Sequence, residues 1–297
     1  MRDEPFRKIK IIVNPNAGRG KARASFPLLR QKLLERNLPF HLQFSENPDH
    51  LLYLGRQALQ EGYDIVVSAG GDGTAHRILQ PLVGNAAVLG FLPLGRGNDL
   101  AKNLGLPEDL DGACDLLRNG RVRRIDVIEV NGAHYIAGVG TIGFDAEVLA
   151  LSKRISPYLR GDSAYTLPIF YKTFFYRPKA VSLKTDQESR QGPILLLAFG
   201  NIKTYGRGMQ IAPMAEPDDG AFDVCWIDPI KALRRNRFFE TVWSGSHLDF
   251  PEVHYSQATS AEVESALPLG LFGDGEWICQ TPFTLQIRPK ALHVLVP

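Results

Sequence analysis

Apolar and polar positions follow one pattern in the first 127 residues of the chain. Short apolar runs predict strands at Ile9–Val13, Phe40–Phe44, 64–69 and 86–92. Between them, the helical spacing of Phe26, Leu29 and Leu33 predicts a helix over 22–37, and further helices are predicted at 48–61, 75–83 and 108–119. Strands that alternate with helices predict an α/β unit built on a doubly wound parallel sheet.

From Val127 onward the pattern changes to strands and turns with few helices. Strands are predicted at 135–139, 180–185, 194–200, 222–227, 284–287 and 292–296, and helices at 146–152, 165–176 and 230–244. This pattern is typical of an antiparallel, β-rich second domain. We therefore predict two domains, 1–127 and 128–297, and allow the last strand to pack back on the first domain.

Composition narrows the possible partners. Among 297 residues, 44% are hydrophobic and 22% charged, which is typical of a soluble globular protein. The net charge of +2 is too small to indicate nucleic acid as a partner. Three dispersed cysteines, Cys114, Cys225 and Cys279, indicate buried thiols in a reducing compartment. The sequence leaves a homodimer open.

No segment of the sequence predicts insertion into a membrane. The residues from Met1 to Pro5 lack the apolar core of a signal peptide, and no apolar run is long enough to span a bilayer. We expect a cytoplasmic protein that meets membranes only peripherally.

Three glycine-bearing loops each follow a predicted parallel strand, at 14–20, 70–74 and 93–99. The carboxyl ends of parallel strands meet at one edge of a sheet, and ligands of such sheets bind there. Glycine lets a ligand approach the main chain, and Thr74 is a candidate cap for the following helix, whose N-terminus attracts anions. Three such loops favour a phosphate-binding edge over plain turns.

Asp72, Asp99 and Asp126 each lie at or just beyond the end of a strand in the first domain. Clustered carboxylates beside phosphate repel each other unless a divalent cation intervenes, and Mg²⁺ prefers such oxygen ligands. The alternative is structural: Asp99 caps a helix and Asp126 pairs with Arg123 or Arg124. Taken together, the three aspartates favour metal and phosphate.

Two acidic turns in the second domain leave their role open. In the first, the Asp219 side chain with the carbonyl groups of Glu216 and Ala221 could hold a hard cation, or Asp219-Gly220 could be an ordinary hairpin turn. In the second, Asp274-Gly275-Glu276 is most simply a turn. A kinase, however, needs a carboxylate that accepts the proton of the attacking hydroxyl.

Two predicted helices combine aromatic and basic residues. The segment 169–176 is rich in Phe and Tyr, and the segment 231–237 is rich in Lys and Arg and precedes Phe238, Phe239 and Trp243. Such helices can lie on an anionic membrane. More often they pack on a core and keep their charges in water, and the sequence does not decide between these alternatives.

The ordered motifs resemble those of the diacylglycerol kinase catalytic family, in its bacterial soluble lipid kinase branch, which is related to sphingosine and ceramide kinases. The resemblance covers nearly the whole chain. It rests on Asn14-Pro15-Asn16-Ala17-Gly18, Gly70 to Thr74, Pro93 to Ala101, Leu104 to Pro107, Gly143-Phe144-Asp145-Ala146, Asp219-Gly220 and Asp274-Gly275-Glu276.

The resemblance implies an ATP-dependent lipid kinase with an α/β nucleotide domain and an antiparallel β-sandwich domain, and with the active site in the cleft between them. It implies roles in phospholipid biosynthesis, with ATP and Mg²⁺ as cofactors. The implied ATP-binding residues are Asn14, Asn16, Gly18, Ser45, Gly71, Asp72, Gly73, Thr74, Arg96 and Asn98. The implied metal ligands are Asp72, Asp99 and Asp126 at one site, and Glu216, Asp219 and Ala221 at a structural Mg²⁺ site. Asp274 or Glu276 is the implied general base, with Asp72 beside the reaction.

The sequence departs from the family pattern at three positions. His76-Arg77 stands where the family usually has Asn-Glu, and Arg96 stands where it usually has Thr or Ser. Arg96 could reach a phosphate or block a pocket, so these residues bear on nucleotide affinity and on the choice of lipid.

The resulting hypothesis is transfer of the γ-phosphoryl group of ATP to the primary hydroxyl of a membrane lipid, with diacylglycerol as the favoured acceptor and phosphatidic acid as the product. The enzyme would associate transiently with the inner leaflet. Two alternatives are a soluble-substrate kinase of the NAD kinase or phosphofructokinase type, and a catalytically silent nucleotide-binding regulator.

Overall fold

The computed structural model describes residues 8–156, 158 and 163–297. Residues 1–7, on which the expectation about a signal peptide rests, lie outside the described residues. The chain divides into two compact units. Unit 1 comprises Met1–Val127 and Arg288–Pro297, and unit 2 comprises Ile128–Ile287.

Unit 1 is built on parallel strands in the order β2-β1-β3-β4. The strands are β1 (Ile9–Val13), β2 (Phe40–Phe44), β3 (Ile65–Gly70) and β4 (Val88–Pro93). The helices are α1 (Lys21–Glu35), α2 (Pro48–Gln60), α3 (Asp72–Leu82), α4 (Asp99–Asn103) and α5 (Leu110–Asn119). All residues of β1 and β3 are buried, as expected for a sheet covered on both faces, and the predicted doubly wound α/β class is confirmed.

Local capping explains where two of these helices begin. The Asn47 side chain accepts a hydrogen bond from the His50 N–H at 2.9 Å, and Pro48 is the first residue of α2, as predicted. Asp109 caps α5 in the same way through the Gly112 N–H at 2.8 Å. The prediction that Thr74 caps α3 is wrong. The helix begins three residues earlier than predicted, at Asp72, with Gly71 in the cap position.

The strands of unit 2 belong to two sheets and pair with one another antiparallel, which confirms the predicted β class. One sheet has the order β12-β11-β10-β7-β14-β15, and the other contains β13, β8 and β9. The strands are β7 (Val139–Gly143), β8 (Lys179–Thr185), β9 (Ser189–Ile194), β10 (Leu196–Gly200), β11 (Phe222–Ile227), β12 (Val253–Ala258), β13 (Ser260–Glu264), β14 (Gly270–Gly273) and β15 (Glu276–Gln280). Phe199, Phe222 and Trp226 are among the largest side chains of its buried core.

Three strands differ from their predictions in extent. The strands predicted at 284–287 and 292–296 form one continuous strand, β16 (Phe283–Val296). Its first part pairs antiparallel with β13 in unit 2, and His293 and Val294 pair parallel with β4 in unit 1. The strand predicted at 135–139 is instead β6 (His134–Ile136) followed by β7, because the chain turns at Ala137 and Gly138.

Asp126 was expected at the end of a strand, and this is wrong, because it lies inside β5 (Arg121–Val130).

The expectation of buried cysteines holds for Cys114 and Cys225, whereas Cys279 is half-buried; all three thiols are free.

Three helices complete unit 2: α6 (Phe144–Ile155), α7 (Ser163–Phe175) and α8 (Ala232–Val242). They coincide with the three predicted helical segments, with ends shifted by one to three residues. Among the described residues, no helix combines the length and the apolar character that crossing a membrane requires.

Candidate functional site

The strand ends of unit 1 place the predicted nucleotide loops at one edge. Parallel pairing aligns Val13 of β1 with Ala69 of β3, and Gly70 of β3 with Pro93 of β4. The loops that follow these strands therefore leave the sheet on the same side. Ser45, directly after β2, belongs to the same edge, where it is buried and its N–H and hydroxyl both donate to the Val13 carbonyl at 2.9 and 3.3 Å.

Asn14 joins the first loop to the second. Its side-chain NH₂ donates to the Thr74 hydroxyl at 3.0 Å, and its side-chain oxygen accepts from the Asn16 N–H at 3.0 Å. The Asn14 N–H also donates to the Ala69 carbonyl at 3.1 Å. Gly18, in the same loop, has a left-handed φ of 60°. The conformation of this loop is therefore fixed by hydrogen bonds to β3 and α3.

The second and third loops touch through their main chains at two glycines. A Cβ atom built on Gly95 would lie 2.3 Å from the Cα atom of Gly71, and one built on Gly71 would lie 3.0 Å from the Cα atom of Gly95. No side chain fits at Gly95 without moving backbone atoms. Glycine at both positions allows this close approach of the two main chains, and the Asn98 side chain lies against Gly95, whose N–H donates to Asn98 Oδ1 at 3.1 Å.

Asp72 fixes the third loop through backbone hydrogen bonds. Its Oδ2 atom accepts from the Asn98 N–H at 2.8 Å, and its Oδ1 atom accepts from the Leu100 N–H at 3.4 Å. Asn98 in turn adopts a left-handed φ of 53°, and its Oδ1 atom accepts from the Gly95 N–H at 3.1 Å. Asp72 and Asn98 thus hold the loop that the sequence assigned to ATP, while Gly73 lies in the first turn of α3.

The three aspartates proposed for Mg²⁺ differ in environment. Asp72 is half-buried, Asp99 is the buried first residue of α4, and Asp126 is completely buried, with its Oδ1 atom accepting from the Lys290 N–H at 2.6 Å. Within the described ranges, no three His, Cys, Asp or Glu side chains form a group that could hold a metal ion. Any Mg²⁺ role of these aspartates would therefore use bound water or phosphate oxygens as further ligands.

The residues that depart from the family pattern also lie on this edge. His76 is buried in α3, and the Arg77 guanidinium lies 3.6 Å from the Asp49 carboxylate of α2. Arg96 is exposed on the loop that touches Gly71. Arg77 is therefore directed toward α2, whereas Arg96 lies on the solvent side of the third loop.

In unit 2, Asp274 and Gly275 form the turn between β14 and β15. Their φ angles of 51° and 81° are those of a two-residue hairpin turn, so the simple reading of this Asp-Gly as a turn is correct. The Asp274 side chain is nevertheless directed at backbone N–H groups: its Oδ1 atom accepts from Gly138 at 2.8 Å and its Oδ2 atom from Ala137 at 3.2 Å. A Cβ atom on Gly138 would lie 2.5 Å from Oδ1, so a larger residue there would displace the Asp274 carboxylate.

Glu276, two residues later, has a different partner. Its carboxylate forms an ion pair with the Lys153 ammonium of α6 at 2.9 Å, and the Glu276 side chain is about a quarter exposed. The structure therefore distinguishes the two carboxylates that the sequence could not rank. Asp274 is fixed by main-chain donors, and Glu276 is neutralised by a flexible cation.

The acidic turn at 216–221 contains the residues expected to hold a cation. The Asp219 carboxylate accepts from the Ala221 N–H at 3.0 Å and from the Gln257 side chain at 3.2 Å, and Glu216 pairs with Lys203 at 2.7 Å. Close to this turn, the fully buried Asp223 has an Oδ1 atom that no hydrogen bond reaches among the described residues.

Burial chiefly raises the pKa of Asp223 to about 6. Hydrogen bonds from the Tyr255 and Gln257 side chains oppose the shift, and the nearby negative charges of Asp219 and Glu216 add to it. A buried carboxylate oxygen without a donor, close to a second carboxylate, fits a cation. Asp223 was not predicted as a site residue from the sequence, although its position two residues after the acidic turn could have indicated a role in binding a cation.

Asp145, at the start of α6, is a further residue for which the sequence gave no role. Burial raises its pKa to about 6, and a hydrogen bond from the Tyr205 hydroxyl partly opposes the shift. The only sequence signal was its place in Gly143-Phe144-Asp145-Ala146, which carries the family resemblance without a chemical reason.

Comparison with known proteins shows the family to which both parts of the chain are similar. Residues 8–130 match the diacylglycerol kinase catalytic domain, and residues 138–296 match the YegS C-terminal NAD kinase beta sandwich-like domain. The diacylglycerol kinase of Mycobacterium tuberculosis is 28% identical over 303 residues, covering 100% of this chain and 97% of that protein. A protein of Chromohalobacter salexigens named "Probable lipid kinase YegS-like" is 33% identical over 250 residues, covering 82% and 79%.

Similar solved structures support the fold. A diacylglycerol kinase structure from Bacillus anthracis superposes with a TM-score of 0.73 at 18% identity, covering 98% of this chain and 97% of that one. The two domain matches and the 33% identical relative establish the family. This chain belongs to the diacylglycerol kinase and YegS-like family of lipid kinases.

Proposed function

We propose that this lipid kinase transfers the γ-phosphoryl group of ATP to the primary hydroxyl of diacylglycerol, giving phosphatidic acid. The observation that carries the nucleotide half of the proposal is the main-chain contact of Gly71 with Gly95 at the strand edge of unit 1. Naming diacylglycerol as the acceptor rests on the names of the relatives.

The proposed ATP site uses the N-terminal turn of α3 with the loops of Asn14 to Gly18 and Gly95 to Asn98. Backbone N–H groups at a helix N-terminus stabilise phosphate oxygens, and Asn14, Asp72 and Asn98 keep these loops in place. Arg96, exposed on the third loop, has the length and charge to reach a phosphate. Ser45 and Asn16 complete the proposed site.

Mg²⁺ is proposed at two places. When bound with ATP, Mg²⁺ neutralises negative charge on the phosphate oxygens. The residues proposed for the first ion are Asp72 and Asp99 at the strand edge of unit 1 and Asp126, which lies inside β5, with water among the ligands. The second ion is proposed at the Asp219 side chain and the Glu216 and Ala221 carbonyl groups, where the unsatisfied Asp223 oxygen adds negative charge.

Asp274 is the proposed general base. Its two hydrogen bonds from Ala137 and Gly138 orient the carboxylate, and an ionised carboxylate can accept the proton of the substrate hydroxyl. The Lys153 ion pair makes Glu276 the less suitable base, because the cation must be displaced before the carboxylate can accept a proton.

An acceptor screen tests the substrate. Purified protein, radiolabelled ATP and Mg²⁺ are mixed with detergent micelles that contain diacylglycerol, ceramide or sphingosine, and separately with NAD or a sugar phosphate. We expect labelled phosphatidic acid. Label in ceramide or sphingosine alone would mean that this lipid, and not diacylglycerol, is the acceptor. Label only in NAD or the sugar phosphate would support a soluble-substrate kinase. ATP binding without any labelled product would support a catalytically silent regulator.

A pair of variants tests the base. Asp274→Asn keeps the shape of the side chain but cannot take a proton, so we expect kcat to fall by about 100- to 10,000-fold with KM for ATP unchanged. Glu276→Gln is the matched control and should lose less than about tenfold. An equal loss in both variants, or a larger loss in Glu276→Gln, would contradict the assignment.

A further inference from the structure

Helix α7 exposes its most apolar side chains to solvent. Five large residues on one half of the helix are exposed, with Phe170 and Phe175 each at 66%. We call this half the α7 aromatic face; it consists of Leu167, Phe170, Tyr171, Phe174 and Phe175. The spacings of three and four residues place them side by side along one face of the helix.

The opposite half of α7 is packed, and it is the more polar half. Lys172 forms an ion pair with Glu147 of α6, and the buried Thr173 donates its hydroxyl hydrogen bond to the Ile169 carbonyl at 2.8 Å. A helix at the surface of a soluble protein normally buries its apolar face and exposes its polar face. In α7 this arrangement is reversed.

The reversal is fixed by hydrogen bonds to the neighbouring helix. The buried Arg235 of α8 donates to the Thr173 and Tyr176 carbonyls at 2.8 and 3.2 Å, at the C-terminal end of α7. A cation there satisfies carbonyl groups that the helix leaves without partners. Helix α7 is therefore held with its aromatic face outward.

The aromatic side chains of this face already contact one another. The rings of Phe170 and Phe174 lie 5.2 Å apart between centroids, edge to face, and those of Tyr171 and Phe175 lie 5.0 Å apart, stacked. They form one continuous apolar surface rather than scattered exposed residues. Continuous exposed apolar surfaces of this kind mark interaction sites.

The charge around the aromatic face is positive. The sequence from 163 to 185 contains no Asp or Glu. Of its four basic residues, Lys172 and Lys184 pair with Glu147 and Glu262, and the other two are Arg177 and Lys179. Helix α8, which packs on α7, adds the exposed Lys231 and Arg237, and its Leu233 is 91% exposed. Aromatic and aliphatic side chains bordered by cations are complementary to the interface of an anionic bilayer.

We propose that the α7 aromatic face docks the protein on an anionic lipid bilayer, with the rings in the interface and the flanking cations on lipid phosphates. The choice of a bilayer as the partner rests on the proposed lipid kinase function. The docking itself requires neither ATP nor catalysis. Bilayer binding and phosphoryl transfer can therefore fail independently.

Sedimentation with sucrose-loaded vesicles tests the docking, without ATP. The vesicles contain phosphatidylcholine alone or phosphatidylcholine with phosphatidylglycerol. We expect the protein to bind the mixed vesicles, and Phe170→Ser/Phe174→Ser to lower the partition coefficient by about tenfold or more, because two interfacial rings are lost. Leu28→Ser/Leu34→Ser on α1, where both leucines are about half exposed, is the matched control and should bind like the unmodified chain.

A second variant tests the contribution of the cations to vesicle binding. Lys231→Glu/Arg237→Glu should weaken binding to mixed vesicles by about fivefold per residue, and this loss should disappear in high salt. Unchanged Tm values show that the variants are folded. Diacylglycerol kinase activity measured on detergent micelles separates the two proposals: absent activity with intact vesicle binding would refute only the proposed function.

Three results would overturn the docking proposal. The first is no binding of the unmodified protein to either vesicle. The second is equal binding of Phe170→Ser/Phe174→Ser and the α1 control. The third is a dimer in sedimentation equilibrium that Phe170→Ser/Phe174→Ser converts to monomer while vesicle binding stays unchanged, which would assign the face to a second copy of this chain.

Discussion

The strand edge of unit 1 and the Asp274 hairpin of unit 2 are held in their conformations in different ways. At the edge, Gly71 and Gly95 bring two main chains into contact because neither has a side chain. At the hairpin, the Asp274 side chain is fixed by the Ala137 and Gly138 N–H groups. A side-chain atom added at either glycine would disrupt the first arrangement. Loss of the carboxylate charge or of a hydrogen bond would disrupt the second.

The largest effect is expected from an added methyl group at the edge. In Gly95→Ala the new Cβ atom would meet the Gly71 backbone at 2.3 Å. The two loops must separate, so we expect a loss of stability of about 3 kcal/mol and a rise of at least about tenfold in KM for ATP. Urea unfolding and steady-state kinetics measure the two effects.

Gly192→Ala in β9 provides the control for that substitution, since its Cβ atom would meet no neighbour closer than 3.9 Å. It should change neither stability nor KM appreciably. If Gly95→Ala behaved like this control, the contact between the two loops would not matter for nucleotide binding.

A smaller effect is expected where unit 2 depends on a buried side chain. Arg235→Ala removes the donors to the Thr173 and Tyr176 carbonyls and leaves these groups unsatisfied. We expect a loss of about 2 kcal/mol in urea unfolding. Arg234→Ala on the same helix removes only an exposed ion pair with Glu252 and should cost less than about 1 kcal/mol. Equal costs would mean that Arg235 does not anchor α7.

The smallest effect concerns a charge that burial disfavours. The pKa of Asp145 is raised to about 6, so the folded state binds its proton more tightly than the unfolded state. The ionised group therefore destabilises the fold increasingly as pH rises from about 4 to 6 and fully above that range. Asp145→Asn should be more stable than the unmodified protein by about 1 kcal/mol at pH 8, with the difference vanishing near pH 4.

Asp186 provides the control of opposite sign. Despite the opposing effect of desolvation, hydrogen bonds from Thr259 and Ser260 lower its pKa to about 2, so its ionised form stabilises the fold above its unfolded pKa and that stabilisation is lost as pH falls toward 2. Asp186→Asn should therefore be less stable than the unmodified protein at pH 8. Two variants that shifted in the same direction would contradict the assigned environments.

Predictions that rest on neighbouring residues were mostly correct, and predictions about contacts between residues far apart in sequence were not. The buried strands β1 and β3 and the Asn47-Pro48 start of α2 were predicted because local patterns specify them. Strands β9, β12, β13 and β15 were missed, since short strands with exposed positions carry a weak apolar pattern, and β5 and β14 were also not predicted. Thr74 looked like a helix cap, but its hydroxyl instead accepts a hydrogen bond from Asn14, sixty positions away in sequence.

By itself, the sequence determined the two-part architecture, the glycine loops after parallel strands and the family, because these depend on periodicity and on motifs of adjacent residues. Only the tertiary structure gave Asp274 main-chain donors and Glu276 a lysine partner, brought Gly95 against Gly71, left an Asp223 oxygen without a donor and turned the aromatic face of α7 outward. Each of these features depends on which distant groups supply hydrogen bonds, charge or space, and neighbouring residues do not specify that.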